Sequence, residues 1–337
     1  MTWKERRTIT ILSSILLILV IALLIVLGVR YRQSRETPAD STEASGDALL
    51  TDDDEYTSLS YYNGSATLSF SLDETGKWIW SDDPGFPLDD ATVTAILSEL
   101  SSLTPQQTIT DGDTLESYGL ADNPTATLDA ATKEGKTLRL LLGNTTTDGD
   151  SYYMLMNDQE SPVYIIADTL YTHMQTPIYD MMLLPEFPEL TEDVIQSITI
   201  QGAASEDGTS GSITVLTAQH TGDTTTWRSS GANVTDAPTV KALLEDISSL
   251  AMDKCVDYHP SEEAADICGF TSPAAVLTVA YRPAGAETDQ FMKLTIGTTA
   301  LDGSGRYVRL EDDSTIYLLP TASLDPLMRV SVNGLEG

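Results

Sequence analysis

At 337 residues the chain has room for two domains behind a leader, and 41% hydrophobic residues supply real cores, which excludes global disorder. Lys and Arg number 18 against 51 Asp and Glu, a formal charge of −33, and the imbalance is uneven: residues 1–35 hold six bases and one acid, net +5, while the remaining 302 hold 12 bases and 50 acids, net −38. So acidic a body excludes a sequence-independent nucleic-acid binder, whose affinity comes from cations set against phosphates, and it disfavours docking of that body on an anionic lipid surface.

Ile9 to Val29 is a run of 21 uncharged residues with only Thr10, Ser13 and Ser14 as polar interruptions. As a helix it spans roughly 30 Å, the thickness of a bilayer hydrocarbon core, and it predicts a transmembrane anchor over 9–29 behind a cytoplasmic tail, 1–8. A cleavable signal has a shorter apolar stretch, about 7–15 residues, ending in a small-x-small site; here Arg30, Tyr31 and Arg32 stand where cleavage would fall. Three bases on each side leave the positive-inside count near a tie. A short basic tail ahead of an apolar run stays inside, so the single pass is expected to place residues 36–337 outside the cytoplasm, with the bilayer as the first partner.

Residues 30–55 are expected to be a flexible linker: 33–55 are rich in Ser, Thr, Asp, Glu and Ala without apolar periodicity. The run Asp52-Asp53-Asp54-Glu55 lacks the alternating ligands and turn Gly of a calcium loop and reads as a solvated charge run.

The remainder repeats. Trp78 is followed after 41 residues by Gly119 in Tyr118-Gly119-Leu120, with Pro124 beyond; Trp227 is followed after 42 by Gly269 in Cys268-Gly269-Phe270, with Pro273 beyond. Gly143 and Gly297 come next, each followed at ten residues by a Tyr (Tyr153, Tyr307) and then by Tyr164 and Tyr317. Two tandem copies of one unit are therefore expected, 56–190 and 191–332.

Within the first copy, Leu68, Phe70 and Leu72 alternate with Thr67, Ser69 and Ser71, the period of a half-buried strand. Asn63-Gly64 and Glu74-Thr75-Gly76 punctuate a three-strand meander ending in Lys77-Trp78-Ile79-Trp80. A helix follows with Asp89 and Asp90 as cap and Val93, Ile96, Leu97, Leu100 and Leu103 as its apolar stripe; its counterpart has Thr235 or Asp236 as cap, Pro238 in the first turn, and a stripe of Val240, Leu243, Leu244, Ile247 and Leu250. Paired strands then run over 125–129 with 137–142, 152–156 with 163–167, 274–280 with 291–296, and 307–310 with 316–319. Antiparallel strands with helices in separate runs predict an α+β class, a mostly antiparallel sheet plus helices in each copy.

These residues carry a resemblance. A leading anchor, the strand Glu74-Thr75-Gly76-Lys77-Trp78, a capped helix, Tyr118-Gly119-Leu120 with Pro124, the strand end Leu140-Leu141-Leu142-Gly143, Tyr152-Tyr153 and Val163-Tyr164-Ile165-Ile166 together resemble the bacterial domain-of-unknown-function family 4340. The similarity spans most of 56–332 in two copies, weaker in the second, where Cys268 and Phe270 replace Tyr and Leu. The resemblance implies an extracytoplasmic bacterial envelope protein. Some members are similar to proteins encoded beside gliding-motility-type ABC transporters, which implies an accessory role. It supplies no catalytic residue to carry over.

Chemistry-bearing patterns are sparse. His173, His220 and His259 show no metal-ligand spacing, and there is no nucleophile elbow, phosphate loop or dinucleotide fingerprint. Gly303-Ser304-Gly305 beside Asp302 reads as a hairpin turn, with Asp148-Gly149-Asp150 as its counterpart. An acid–base pair needs one carboxyl in an apolar pocket, and Asp266 and Glu116 are the two carboxylates worth inspecting for one. Cys255 and Cys268, 13 residues apart, admit either a disulfide or two small buried hydrophobes. Trp3 suits a membrane interface, whereas Trp78, Trp80 and Trp227 lie in strands and read as core. No catalytic, cofactor-binding or metal-binding residue is assigned.

The expected function is a membrane-anchored, extracytoplasmic, non-catalytic envelope component that binds a protein, such as an ABC-type transporter. The alternative is an extracellular enzyme acting on envelope polymers through paired carboxylates. A third reading is a structural domain whose self-repelling charge is relieved by divalent cations.

Overall fold

A computed structural model describes residues 48–52, 54–204, 211–222 and 224–336. The fold is α+β and mostly β: two antiparallel sheets with few helices. The expected tail 1–8, the anchor over 9–29 and most of the linker 30–55 lie outside the described residues. Among the described residues no helix is long and apolar enough to cross a membrane.

The first sheet contains β1 (Tyr56–Tyr62), β2 (Thr67–Leu72), β3 (Trp78–Trp80), β4 (Gln107–Ile109), β5 (Ala126–Thr132), β6 (Thr137–Thr145), β7 (Ser151–Met156) and β8 (Val163–Ala167). Their spatial order is β3-β2-β1-β5-β6-β7-β8-β4. The second contains β9 (Ile195–Gly202), β10 (Ile213–Thr221), β11 (Thr224–Ser229), β12 (Ala232–Asn233), β13 (Lys254–Asp257), β14 (Ala275–Tyr281), β15 (Gln290–Thr299), β16 (Gly305–Leu310) and β17 (Ile316–Pro320). Their order is β12-β11-β10-β9-β14-β15-β16-β17-β13, which, apart from the two-residue edge strand β12, repeats the first strand for strand. Both sheets break register at the same place, between Leu142 and Thr145 on β6 and between Ile296 and Thr299 on β15.

The turns follow from side-chain chemistry. Asn63 Oδ1 accepts the amides of Ser65 and Ala66, while its Nδ2 donates to the Met174 carbonyl at 3.0 Å, so one side chain closes the β1–β2 hairpin and ties it to a helix. Asp73 Oδ1 accepts the amides of Thr75 and Lys77 and so shapes the β2–β3 turn.

Helices cover one face of each sheet. α1 (Ala91–Ser101) buries Val93, Ile96 and Leu100 and packs on α2 (Thr169–Met174). α3 (Pro238–Ser248) buries Val240, Leu243, Leu244 and Ile247 and packs on α5 (Asp325–Asn333), which crosses β9. α4 (Glu262–Ile267) is a short helix on the opposite face. The inner faces, including Leu59, Phe70, Trp78, Ile198, Leu216 and Trp227, join one continuous core; each fully buried large side chain contributes about 1.5–3 kcal/mol.

Three expectations change. The cap of α3 is neither Thr235 nor Asp236: the N-cap is Ala237, the Thr235 hydroxyl accepts the Trp227 amide at 2.8 Å, and Asp236 pairs with Lys241. At α1 the N-cap Asp90 makes no side-chain capping bond, and Asp89 accepts the Ala91 amide instead. The end of the expected flexible linker is docked: the Leu50 amide donates to Leu103 O at 2.8 Å, the buried Thr51 hydroxyl donates to Leu100 O, and Lys136 Nζ lies 2.7 Å from Asp52 and 2.6 Å from Asp54.

Candidate functional site

The repeated glycines are spent on the backbone. Leu120 N donates to Leu115 O and Gly119 N to Glu116 O; Phe270 N donates to Ala265 O and Gly269 N to Asp266 O. This is the Schellman pattern, which needs a left-handed residue after the last turn, and Gly119 and Gly269 supply it with φ of +70° and +86°. The turn then rests on the next Gly: a Cβ at Gly143 would sit 2.1 Å from Tyr118 O, and one at Gly297 would sit 2.0 Å from Cys268 O. Beneath the first turn Tyr118 packs on Tyr153, with ring centroids 4.7 Å apart; beneath the second, Cys268 lies in a small cluster with Phe270 and Tyr307.

Cys268 thus occupies the slot of Tyr118, and Cys255 points to the other side, into the main core. Both thiols are free and buried, so of the two readings of this pair the structure has the small hydrophobes and not the disulfide. Burial, reinforced by Asp257, pushes the Cys255 thiol up to about 12, and burial raises Cys268 as well.

Asp266 and Glu116, the two inspected carboxylates, are both exposed and belong to different sheets' turns, so neither occupies the apolar pocket an acid–base pair requires. The histidines also lie apart. His220 Nε2 lies 3.0 Å from Ile195 O and its Nδ1 3.1 Å from Thr225 Oγ1; His259 Nε2 lies 2.8 Å from Asp83; His173 is in α2. Among the described residues no three His, Cys, Asp or Glu are placed to hold a metal ion. Asp302 accepts the Ser304 amide and hydroxyl, and Asp148 accepts the Thr146 hydroxyl, so both Gly-rich stretches are hairpin turns whose carboxyls these bonds hold below the usual range.

His259 belongs to the junction between the sheets. Tyr258 Oη donates to Gly85 O at 3.0 Å, and Phe86, 3% exposed, contacts Trp80, Tyr179 and Tyr258. Trp80 therefore packs at this junction, partly buried, while Trp78 and Trp227 lie in the core.

The open concavities are elsewhere. A depression of about 270 Å³ on the outer face of the first sheet is lined by Ser58, Ser60, Ser69, Ser71 and Asp129. Two adjoining grooves, about 280 and 360 Å³, share Pro188 and Tyr281 at one end of the second sheet. Phe187, Met292 and Leu310 line the smaller on its core side, with Glu186, Glu311 and Asp312 around it. Phe291 is 68% exposed. The sequence reading did not single out this groove. The period of β15 turns Met292, Leu294 and Ile296 inward and leaves Phe291 with Lys293 and Thr295 on the solvent side, away from the groove.

A family model described as "Domain of unknown function (DUF4340)" matches residues 78–266, a single span from β3 of the first sheet to α4 on the second. No curated protein and no solved structure matches the chain. The match covers more than half of the sequence, and the chain belongs to the DUF4340 family.

Proposed function

We propose that this DUF4340 chain is a membrane-anchored, extracytoplasmic component that works by holding a partner protein and not by turnover. The observation that carries the reading is the uncharged run 9–29 set ahead of a two-sheet body whose repeated glycines, Gly119, Gly143, Gly269 and Gly297, are spent on backbone contacts and whose other repeated landmarks are packing side chains. A run of that length suits a bilayer span, and the acidic body suits an aqueous compartment away from anionic headgroups. Two sheets with a shared core offer a rigid body with broad outer faces, the form a scaffold for another protein takes. The partner we expect is an ABC-type transporter or another envelope protein.

Two measurements test this. Protease added to intact spheroplasts should digest the body while leaving a cytoplasmic marker untouched; full protection of the body would reverse the orientation. Affinity purification from crosslinked membranes should recover the same partner protein repeatedly, and repeated recovery of the chain alone would remove the partner-holding role.

A further inference from the structure

The strand registers let the outer faces of the two sheets be compared place by place. In the first sheet one row of neighbours across β2, β1, β5 and β6 is Ser71, Ser58, Ala131 and Thr137; the matching row across β10, β9, β14 and β15 is Thr217, Ser197, Ala280 and Phe291. The next row is Ser69, Ser60, Asp129 and Arg139 in the first sheet and Val215, Thr199, Thr278 and Lys293 in the second. Small side chains make the first face a hollow, the depression of about 270 Å³, whereas a cavity of about 150 Å³ already takes a benzene ring. Four of its hydroxyls are paired with one another, Ser60 with Ser69 at 2.8 Å and Ser71 with Ser81 at 3.4 Å, so an apolar ring can cover them with these bonds kept. The second face carries a knob where the first has Thr137: Phe291 stands 68% exposed beside the short Ala280. In a body of net charge −38 one copy repels another, but on these faces the acids are balanced, Asp129 by Arg139 at 3.7 Å and Glu311 by Lys293 at 2.6 Å.

We infer that the chain self-associates head to tail: Phe291 of one copy enters the serine-lined hollow of a second copy, with Lys293 beside the knob set against Asp129 beside the hollow. Every copy carries both halves of this contact, an exposed aromatic and a depression that admits it, and their flanking charges are opposite in sign. Because knob and hollow are different patches, the contact is heterologous, and a pair keeps one free knob and one free hollow for further copies. The four strands of each face, at about 4.8 Å spacing and about 20 Å long, give an area on the order of 400 Å², so the contact is weak and reversible. This goes beyond the partner-holding role and does not depend on it.

The test is sedimentation velocity of the full chain in a nonionic detergent at rising protein concentration. Wild type is expected to form dimers and then larger species. Phe291→Thr, the residue type of the matching place in the first sheet, and Ser58→Tyr, which fills the hollow, should each weaken association about tenfold or more, with unchanged circular dichroism and Tm. Should Ser58→Tyr fail to fold, Ser71→Tyr on the neighbouring strand fills the same hollow. Leu301→Ser removes a still more exposed apolar side chain, at the tip of the β15–β16 hairpin, and should leave association unchanged. An equimolar mixture of the Phe291→Thr and Ser58→Tyr chains should give dimers and nothing larger, because the knob of one meets the hollow of the other. A wild type that stays monomeric, an equal loss in Leu301→Ser, or a mixture that stays monomeric overturns the inference. Association that survives both Phe291→Thr and Ser58→Tyr overturns it too, since the copies would then meet elsewhere.

Discussion

The Phe86 ring meets the Tyr258 ring edge-on, with centroids 5.2 Å apart and planes at 85°, so a loop after β3 is locked to the segment after β13 in the other sheet. Around this pair the Asp89 amide donates to Met181 O and the Leu183 amide to Pro87 O, and His259 adds its contact with Asp83. Truncating Phe86→Ala should cost about 3–5 kcal/mol, the range for a buried Phe, and should split one calorimetric transition into two as the sheets lose their coupling. His259→Ala should cost less than about 1 kcal/mol, because its ring is largely exposed beside Asp83. A large loss with a single transition retained would show that the sheets are coupled elsewhere.

Gly143→Ala and Gly297→Ala drive a methyl into hard overlap with the carbonyl oxygens of Tyr118 and Cys268. Each should cost roughly 3 kcal/mol or more, because the clash is with backbone on both sides and neither the strand nor the Schellman turn can yield separately. Gly135→Ala is the comparison: its φ is +86° but a Cβ there meets nothing, so strain alone should cost about 1 kcal/mol. Urea midpoints of the three variants give the ranking, and similar losses for Gly135→Ala and Gly143→Ala would contradict it.

Buried acids of high pKa make the fold alkali-sensitive. Burial and Asp257 push the Cys255 thiol up to about 12 from an ordinary 9.0, and burial also raises the Tyr61 and Tyr317 phenols. A raised folded value means stability fully present below pH 9 and lost as pH climbs toward 12, because the unfolded chain releases its protons first. The slope is up to about 1.4 kcal/mol per pH unit for each group. Unfolding free energies between pH 8 and 11 should fall along this course, less steeply in Cys255→Ala; a flat profile would contradict the burial of these groups. Native protein at pH 8 should also resist thiol reagents, releasing two thiols only on denaturation.

Asp246 on α3 is partly buried, and its Oδ2 has no hydrogen-bond partner among the described residues. Burial first, then Glu245 and Asp325, raise its carboxyl above 3.8, with Arg329 opposing. Its contribution is therefore favourable in acid and lost as pH rises through the raised value, so at neutral pH the ionised carboxylate is a liability. Asp246→Asn should raise Tm at pH 7 by on the order of 1 °C, the gain fading toward pH 4. An unchanged or lowered Tm at pH 7 would show the carboxylate to be well solvated.

What could be read from the sequence was what is local. Alternation at Leu68 and Phe70, the stripes of α1 and α3, and the spacing of Trp78, Gly119 and Gly143 against Trp227, Gly269 and Gly297 fall at matching places in the two sheets. What escaped was decided by distant partners. The docking of Asp52 and Asp54 depends on Lys136, more than 80 residues away, and composition carries no trace of it. The cap of α3 failed because a strand amide, that of Trp227, competes for the Thr235 hydroxyl. The cysteines stayed ambiguous because the register of β13, with Cys255 opposite Tyr317, decides which face each thiol takes. The groove joins the segment between the sheets to the β16–β17 turn, a pairing of distant segments that no local pattern carries.

The docking of Leu50 to Asp54 bears on how the body responds to being pulled. β1 lies in the middle of its sheet, hydrogen-bonded to β2 on one side and β5 on the other. A force along the chain from upstream of Leu50 meets first the contacts of Leu50 and Thr51 with Leu103 and Leu100, then the Lys136 clasp. Beyond these it meets two ladders loaded in shear, where many bonds must break together instead of one after another. Load applied at that end is thus spread through the sheet, a sound arrangement for a body that must stay folded while something tugs on it.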